Sequence, residues 1–156
     1  MKREIQKIIK ELQVTLDGDP WFGQSVYALL NDVSADYASV KPNESSHSLV
    51  ELIYHMNTWA EFTLKRIHKE QIDDMAAFEK LDWREIDPMI HGWEEGLSAY
   101  IATNQELIAL LETKDDAFLN EIVDYRDYDF RYLINGLIQH NIYHAGQIAY
   151  VKKLLS

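Results

Sequence analysis

The chain has 156 residues, enough for one domain with a real core and no need of disulfide staples. It contains no cysteine, so thiolate metal sites, cysteine nucleophiles and disulfide frameworks are all excluded. Its net charge of −11 opposes a nucleic-acid partner, and no basic stripe offsets that charge.

Charges at Glu4, Lys7, Lys10 and Glu11 interrupt any apolar run after Met-Lys-Arg, so no export signal is expected and a cytoplasmic location is. No stretch approaches the roughly 18 uncharged apolar residues of a membrane span. Ile5, Ile8, Ile9, Leu12 and Leu16 recur at helical spacing and predict a first helix over residues 2–16, stopped by Asp17-Gly-Asp-Pro20. A shorter apolar helix from Gly23 to Val33 follows, then a loop at Lys41-Pro-Asn-Glu44. Ser48-Leu-Val-Glu51 has the form of a capping box and opens a helix running to about Lys69. The stretch from Glu70 to Lys80 is irregular and is expected to be a connection.

Asp82 or Asp87 is expected to cap the next long helix, with Pro88 in its first turn. Its buried face would carry Met89, Trp93, Leu97, Tyr100, Ile101, Leu107, Ile108 and Leu111, ending near Glu112. Gly92-x-x-x-Gly96 would allow a close helix approach. Residues 113–128 are acidic and aromatic and are expected to form a surface loop, with a pocket wall at Tyr125–Tyr132 as the alternative, and the last helix spans Asp129 to Leu155. Four long helices, an extra short helix after the first and no convincing strand specify an all-α four-helix bundle in a single domain, residues 1–156.

Chemistry concentrates in the last helix. His140 and His144 lie four residues apart, on one helical face. At 100° per residue, Leu133, Leu137, Gln147, Ile148 and Val151 all fall within about 80° of His140, so the pair points into the core. Two core histidines need partners, and a shared metal ion is the natural one. Among the other histidines only His55 sits in an apolar stripe, with Leu52, Trp59 and Phe62. His68 and His91 have charged or glycine neighbours, and His47 precedes a helix cap. His55 is therefore the third candidate ligand. Three imidazoles leave coordination positions open, the pattern of catalytic sites.

Glu51, one turn before His55, could orient an imidazole or a water, or simply close the capping box. Gln147, one turn after His144, is a candidate to fix that ring. Trp21, Trp59 and Tyr143 are pocket candidates, although tryptophans at helical spacing, Trp93 among them, more often pack a core. Asn141 stands where the His-Glu-x-x-His motif needs glutamate, which argues against zinc-protease chemistry.

His47-Ser-Leu-Val-Glu-Leu-Ile-Tyr-His55-Met-Asn-Thr-Trp59, followed by His140-Asn-Ile-Tyr-His144-Ala-Gly-Gln147-Ile, resembles the DinB/YfiT-like superfamily. Asp17-Gly-Asp-Pro-Trp-Phe-Gly23 is similar to a turn found in one of its branches. The resemblance covers nearly the whole chain. It implies a four-helix bundle, usually homodimeric, with a site for zinc, nickel or iron whose ligands map to His55, His140 and His144. It also implies a metal-dependent enzyme acting on a small-molecule substrate, by hydrolysis with metal-activated water or by transfer of a low-molecular-weight thiol cosubstrate such as bacillithiol. The alternative is a non-catalytic metal- or ligand-binding stress-response protein. Fold membership does not choose between them.

Overall fold

A computed structural model describes residues 1–156. The first helix, α1 (Arg3–Asp17), buries Ile5, Ile8, Ile9, Leu12 and Leu16, the stripe that its spacing predicts. Lys2 gives its N-terminus no side-chain cap. The cap comes from far along the chain: Asp116 Oδ1 accepts the Glu4 and Ile5 N–H groups, each at 2.9 Å. A carboxylate there satisfies two orphan donors and complements the helix dipole. The turn after α1 needs its glycine, since Gly23 has φ +147°, a region closed to most side chains.

The helix predicted from Gly23 to Val33 is shorter than its apolar run. Only α2 (Val26–Leu30) forms within it, and a separate turn beyond it, α3 (Ala35–Ala38), follows, Ser25 and Ser34 each accepting a backbone N–H at the start. Next comes α4 (Leu49–Ile67), where Ser48 Oγ accepts the Glu51 N–H at 3.1 Å. The expected connection at 70–80 is in part a helix, α5 (Met75–Leu81). Arg66, almost completely buried, anchors it, with Nη2 3.1 Å from Asp74 Oδ1 and Nη1 donating to the Ile72 carbonyl at 3.2 Å.

Neither Asp82 nor Asp87 caps the next long helix. Asp87 and Pro88 make a single turn in which the Asp87 carbonyl accepts the Ile90 and His91 N–H groups at 2.9 and 2.7 Å. Gly92 is then extended and stops that turn, so α6 (Trp93–Glu112) starts later. Met89, expected on its buried face, is 91% exposed instead. Gly96 allows α6 to lie against α4: a Cβ there would sit 2.6 Å from the Tyr54 ring. A 3-10 turn over Asp116–Asn120 leads to α7 (Phe130–Leu155), capped by Asp129, which accepts the Tyr132 N–H at 2.9 Å.

Helices α1, α4, α6 and α7 make the four-helix bundle, with α4 central between α6 and α7. No strand forms; Ile122 and Asp129 make only an isolated bridge. A polar line runs through the largely apolar core, where the Tyr100 hydroxyl donates to Asn141 Oδ1 at 2.8 Å. Asn104 Nδ2 donates to the Tyr100 carbonyl at 2.9 Å. Asn141 lies between the two histidines of α7, so this line fixes the rotation of α7 where they leave it. No helix is long and apolar enough to cross a membrane.

Candidate metal centre

His55 leaves the middle of α4, and His140 and His144 leave the facing side of α7. Their Nε2 atoms converge. His55 Nε2 lies 3.0 Å from that of His140 and 2.9 Å from that of His144, and the two on α7 are 3.0 Å apart. His55 and His144 are buried and His140 is partly so. Of all His, Asp and Glu side chains in the chain, these three alone form a group able to hold one metal ion.

The far side of each ring decides what Nε2 carries. Asp82 Oδ1 lies 2.8 Å from His55 Nδ1, and a carboxylate only accepts, so Nδ1 carries the hydrogen. The same oxygen accepts the Trp59 indole N–H at 2.7 Å. The amide oxygen of Gln147 faces His144 Nδ1 at 2.5 Å, and since an amide oxygen accepts, in this orientation Nδ1 carries the hydrogen. The Nε2 atoms of His55 and His144 therefore present lone pairs to each other at 2.9 Å. Such a contact is repulsive unless a cation lies between them.

A proton is disfavoured in that place. Burial, and then the charge of the neighbouring histidines, lowers His140 to about 3. Burial lowers His144 to about 4, against the Gln147 hydrogen bond, which raises it. Burial also lowers His55, more than the Asp82 carboxylate raises it. Three neutral imidazoles, two of them with a lone pair turned to the centre, fit a divalent ion, for which imidazole is a good ligand. Three imidazoles would fill only part of a divalent ion's coordination shell and would leave positions for water or substrate. Among the three, His140 has no partner for its Nδ1 atom.

Two residues at this site carry no signal in the periodicity of the sequence. Asp82 and Trp83 follow α5 in irregular backbone, where no helical spacing points to them. Trp83 stacks on His55 with ring centroids 3.7 Å apart and planes 6° apart, and on His47 at 3.8 Å and 5°. It covers one face of His55 and links the site to the start of α4.

The sequence-predicted neighbours are distributed unevenly. Gln147 is bonded to a histidine of the cluster, and Trp59 touches it through Asp82. Glu51 is not. Its carboxylate lies 2.8 Å from His47 Nδ1 and 3.0 Å from Lys41 Nζ, because His47 stands one turn before it. Burial would raise the Glu51 carboxyl, but these two partners hold it below the usual range. Trp21 lies wholly exposed in the turn after α1, where no element covers it, and so lines no pocket. Tyr143 is 67% exposed on the outer side of α7, its ring centroid 5.1 Å from that of His144.

A cleft of about 230 Å³ opens beside the cluster, with His140 in its lining and Trp59, Phe62, Tyr128, Tyr132 and Leu137 around it. The stretch at 113–128 is not simply a surface loop: it buries Phe118, Leu119 and Val123, and Tyr128 lines the cleft as the alternative reading expected.

The DinB superfamily profile matches residues 22–148, a span that includes all three histidines and both helices that carry them. The chain belongs to the DinB superfamily. No curated protein matches it. Within this DinB-superfamily bundle the stretches that carried the resemblance are the ones that build the cluster, the α4 segment through His55 and the α7 segment through Gln147.

Proposed function

We propose that the protein is a metal-dependent enzyme acting on a small molecule, with His55, His140 and His144 holding a zinc, nickel or iron ion. The observation that carries this reading is the convergence of three imidazole nitrogens, two of them fixed as lone pairs by Asp82 and Gln147. A divalent ion supplies Lewis acidity, which makes a coordinated water or thiol acidic near neutral pH.

The chain's own residues do the rest. Asp82 and Gln147 hold two rings in one tautomer, Trp83 shields the face of His55, and the aromatic cleft offers an apolar surface beside His140. No carboxylate lines the cleft, and Asn141 occupies the position of a zincin base. Without a protein base, a thiol at pKa about 8.5 needs far less activation than water at about 15.7. Transfer of a low-molecular-weight thiol is therefore the favoured branch, and hydrolysis is the second. In that transfer the sulfur forms a bond to the electrophile's carbon as the leaving group departs with its electron pair, and the thiol proton is released to solvent. A chain with no cysteine and a free thiol cosubstrate suit a reducing cytoplasm. The exposed apolar residues Ile142, Tyr143, Tyr150 and Leu154 on α7 support a homodimer.

The test supplies zinc-, nickel- or iron-loaded protein with bacillithiol, glutathione or coenzyme A and 1-chloro-2,4-dinitrobenzene. Metal-dependent conjugate, absent in His55→Ala, supports transfer. Metal-dependent release of p-nitrophenol from simple esters without any thiol selects hydrolysis. Tight metal binding with neither reaction across a broad panel returns a binding protein without turnover.

A further inference from the structure

The cleft beside the histidines has a chemistry that limits what can enter it. No Lys, Arg, Asp or Glu lines it. Thr63, Tyr128 and Tyr132 bring hydroxyls to its wall and His140 a neutral ring, none of them charged, and the Thr63 hydroxyl already donates to the Trp59 carbonyl at 2.8 Å. Such a surface does not compensate the desolvation of a carboxylate, phosphate or ammonium group. Apolar and aromatic walls with a polar group at one end match the usual build of a small-molecule site.

Gly136 lies in the wall of the cleft. It sits inside the uninterrupted helix α7, where glycine is unfavourable relative to alanine. Nothing lies within 4 Å of the place its Cβ would take, so no neighbouring helix demands a glycine there. The space left open by the missing side chain belongs to the cleft, which Gly136 lines one turn before His140. An apolar cavity of about 150 Å³ holds a benzene molecule, so this volume suits roughly a substituted benzene or a six- to eight-carbon chain.

We propose that this cleft holds the apolar body of the substrate, an uncharged aromatic or alkyl group, and that Gly136 is the residue that admits it. The reacting group then lies at the His140 end. The inference rests on the proposed metal site, and the following experiment separates the two.

Zinc-loaded full-length protein is titrated calorimetrically with alkanehydroxamic acids from acetyl to octanoyl, whose chelating head is constant. Burial of each added methylene raises affinity roughly fourfold until the cleft is full. Gly136→Leu abolishes that chain-length dependence while zinc content and acetohydroxamate affinity stay at wild-type values. Met75→Trp, which narrows the cleft from α5, does the same and guards against a folding defect in the first variant. Equal affinity along the series with acetohydroxamate still bound overturns the cleft proposal and leaves the metal site standing. If no zinc binds, the metal reading fails, and the neutral fluorophore N-phenyl-1-naphthylamine decides the cleft by itself. Fluorescence enhancement lost in Gly136→Leu supports the proposal, and no enhancement overturns it. A dimer that dissociates in either variant makes the cleft an interface between copies and also overturns it.

Discussion

Asp82→Asn removes the charge behind His55 while keeping the shape of the side chain. Asp82 Oδ1 accepts from His55 Nδ1 at 2.8 Å and from the Trp59 indole at 2.7 Å, so one oxygen orients a candidate ligand and ties it to α4. Hydrogen bonds to a charged group contribute about 1.5–3 kcal/mol, and loss of a partner behind a ligand lowers metal affinity about 10–100-fold. The Asp82 side chain is 35% exposed, so solvent screens it and the lower end of both ranges applies. The expected loss is about tenfold in zinc affinity, or about 1.4 kcal/mol, measured by competition with a chelating dye at pH 7. In the metal-free protein the same substitution lowers the His55 pKa further, which proton NMR of the ring reads directly. A zinc affinity within twofold of wild type, with the His55 titration unmoved, would refute the assignment of Asp82 as the group that positions His55.

Two further outcomes follow from the same geometry. In metal-free protein the folded-state values of His140 and His144, about 3 and 4, lie below the 6.5 of an unfolded histidine. The unfolded chain therefore takes up protons first as pH falls. Stability is flat above pH 7 and declines from about pH 6.5 to 4, each histidine contributing at most about 1.4 kcal/mol per pH unit and less where solvent reaches it. Melting temperatures in chelator at pH 8, 7, 5.5 and 4.5 check this, and a flat profile down to pH 4.5 contradicts it. Tyr100→Phe leaves the buried Asn141 Oδ1 without its donor at 2.8 Å, which costs about 1–3 kcal/mol in urea unfolding. It also lowers metal affinity, because Asn141 sets the rotation of α7; a full loss of stability with unchanged metal affinity would separate the two effects.

Much of the bundle is visible in the sequence because a buried helix leaves a periodic trace. Ile5, Ile8, Ile9, Leu12 and Leu16 have no other explanation than one apolar face, and α4, with Ser48 at its start, and α7 are placed within two residues. The coming together of His55, His140 and His144 follows from the same logic, since each lies on the inward stripe of its helix. The region between α4 and α6 is not legible in this way. Met75–Leu81 is too short for its period to show, and the turn at Asp87-Pro88 imitates a helix start that Gly92 then cancels. Asp82 and Trp83 lie in that region, so the partner of His55 and the ring stacked on it carry no local pattern. Glu51 misled for a physical reason, since it shares a face with His55 by count, yet His47 and Lys41 lie closer to its carboxylate and offer it charge. The distant cap on α1 by Asp116 is equally invisible, because it joins residues more than a hundred positions apart.

Metal content of the purified protein tests the central claim most directly. Inductively coupled plasma mass spectrometry on wild type and on His55→Ala, His140→Ala and His144→Ala is expected to find one divalent ion per chain in the first and none in the variants. Adding zinc to chelator-stripped wild type then raises its melting temperature, since a ligand that binds only the folded state must stabilise it. Wild-type protein that carries no metal, takes up none and melts at the same temperature with and without zinc, nickel or iron would contradict it.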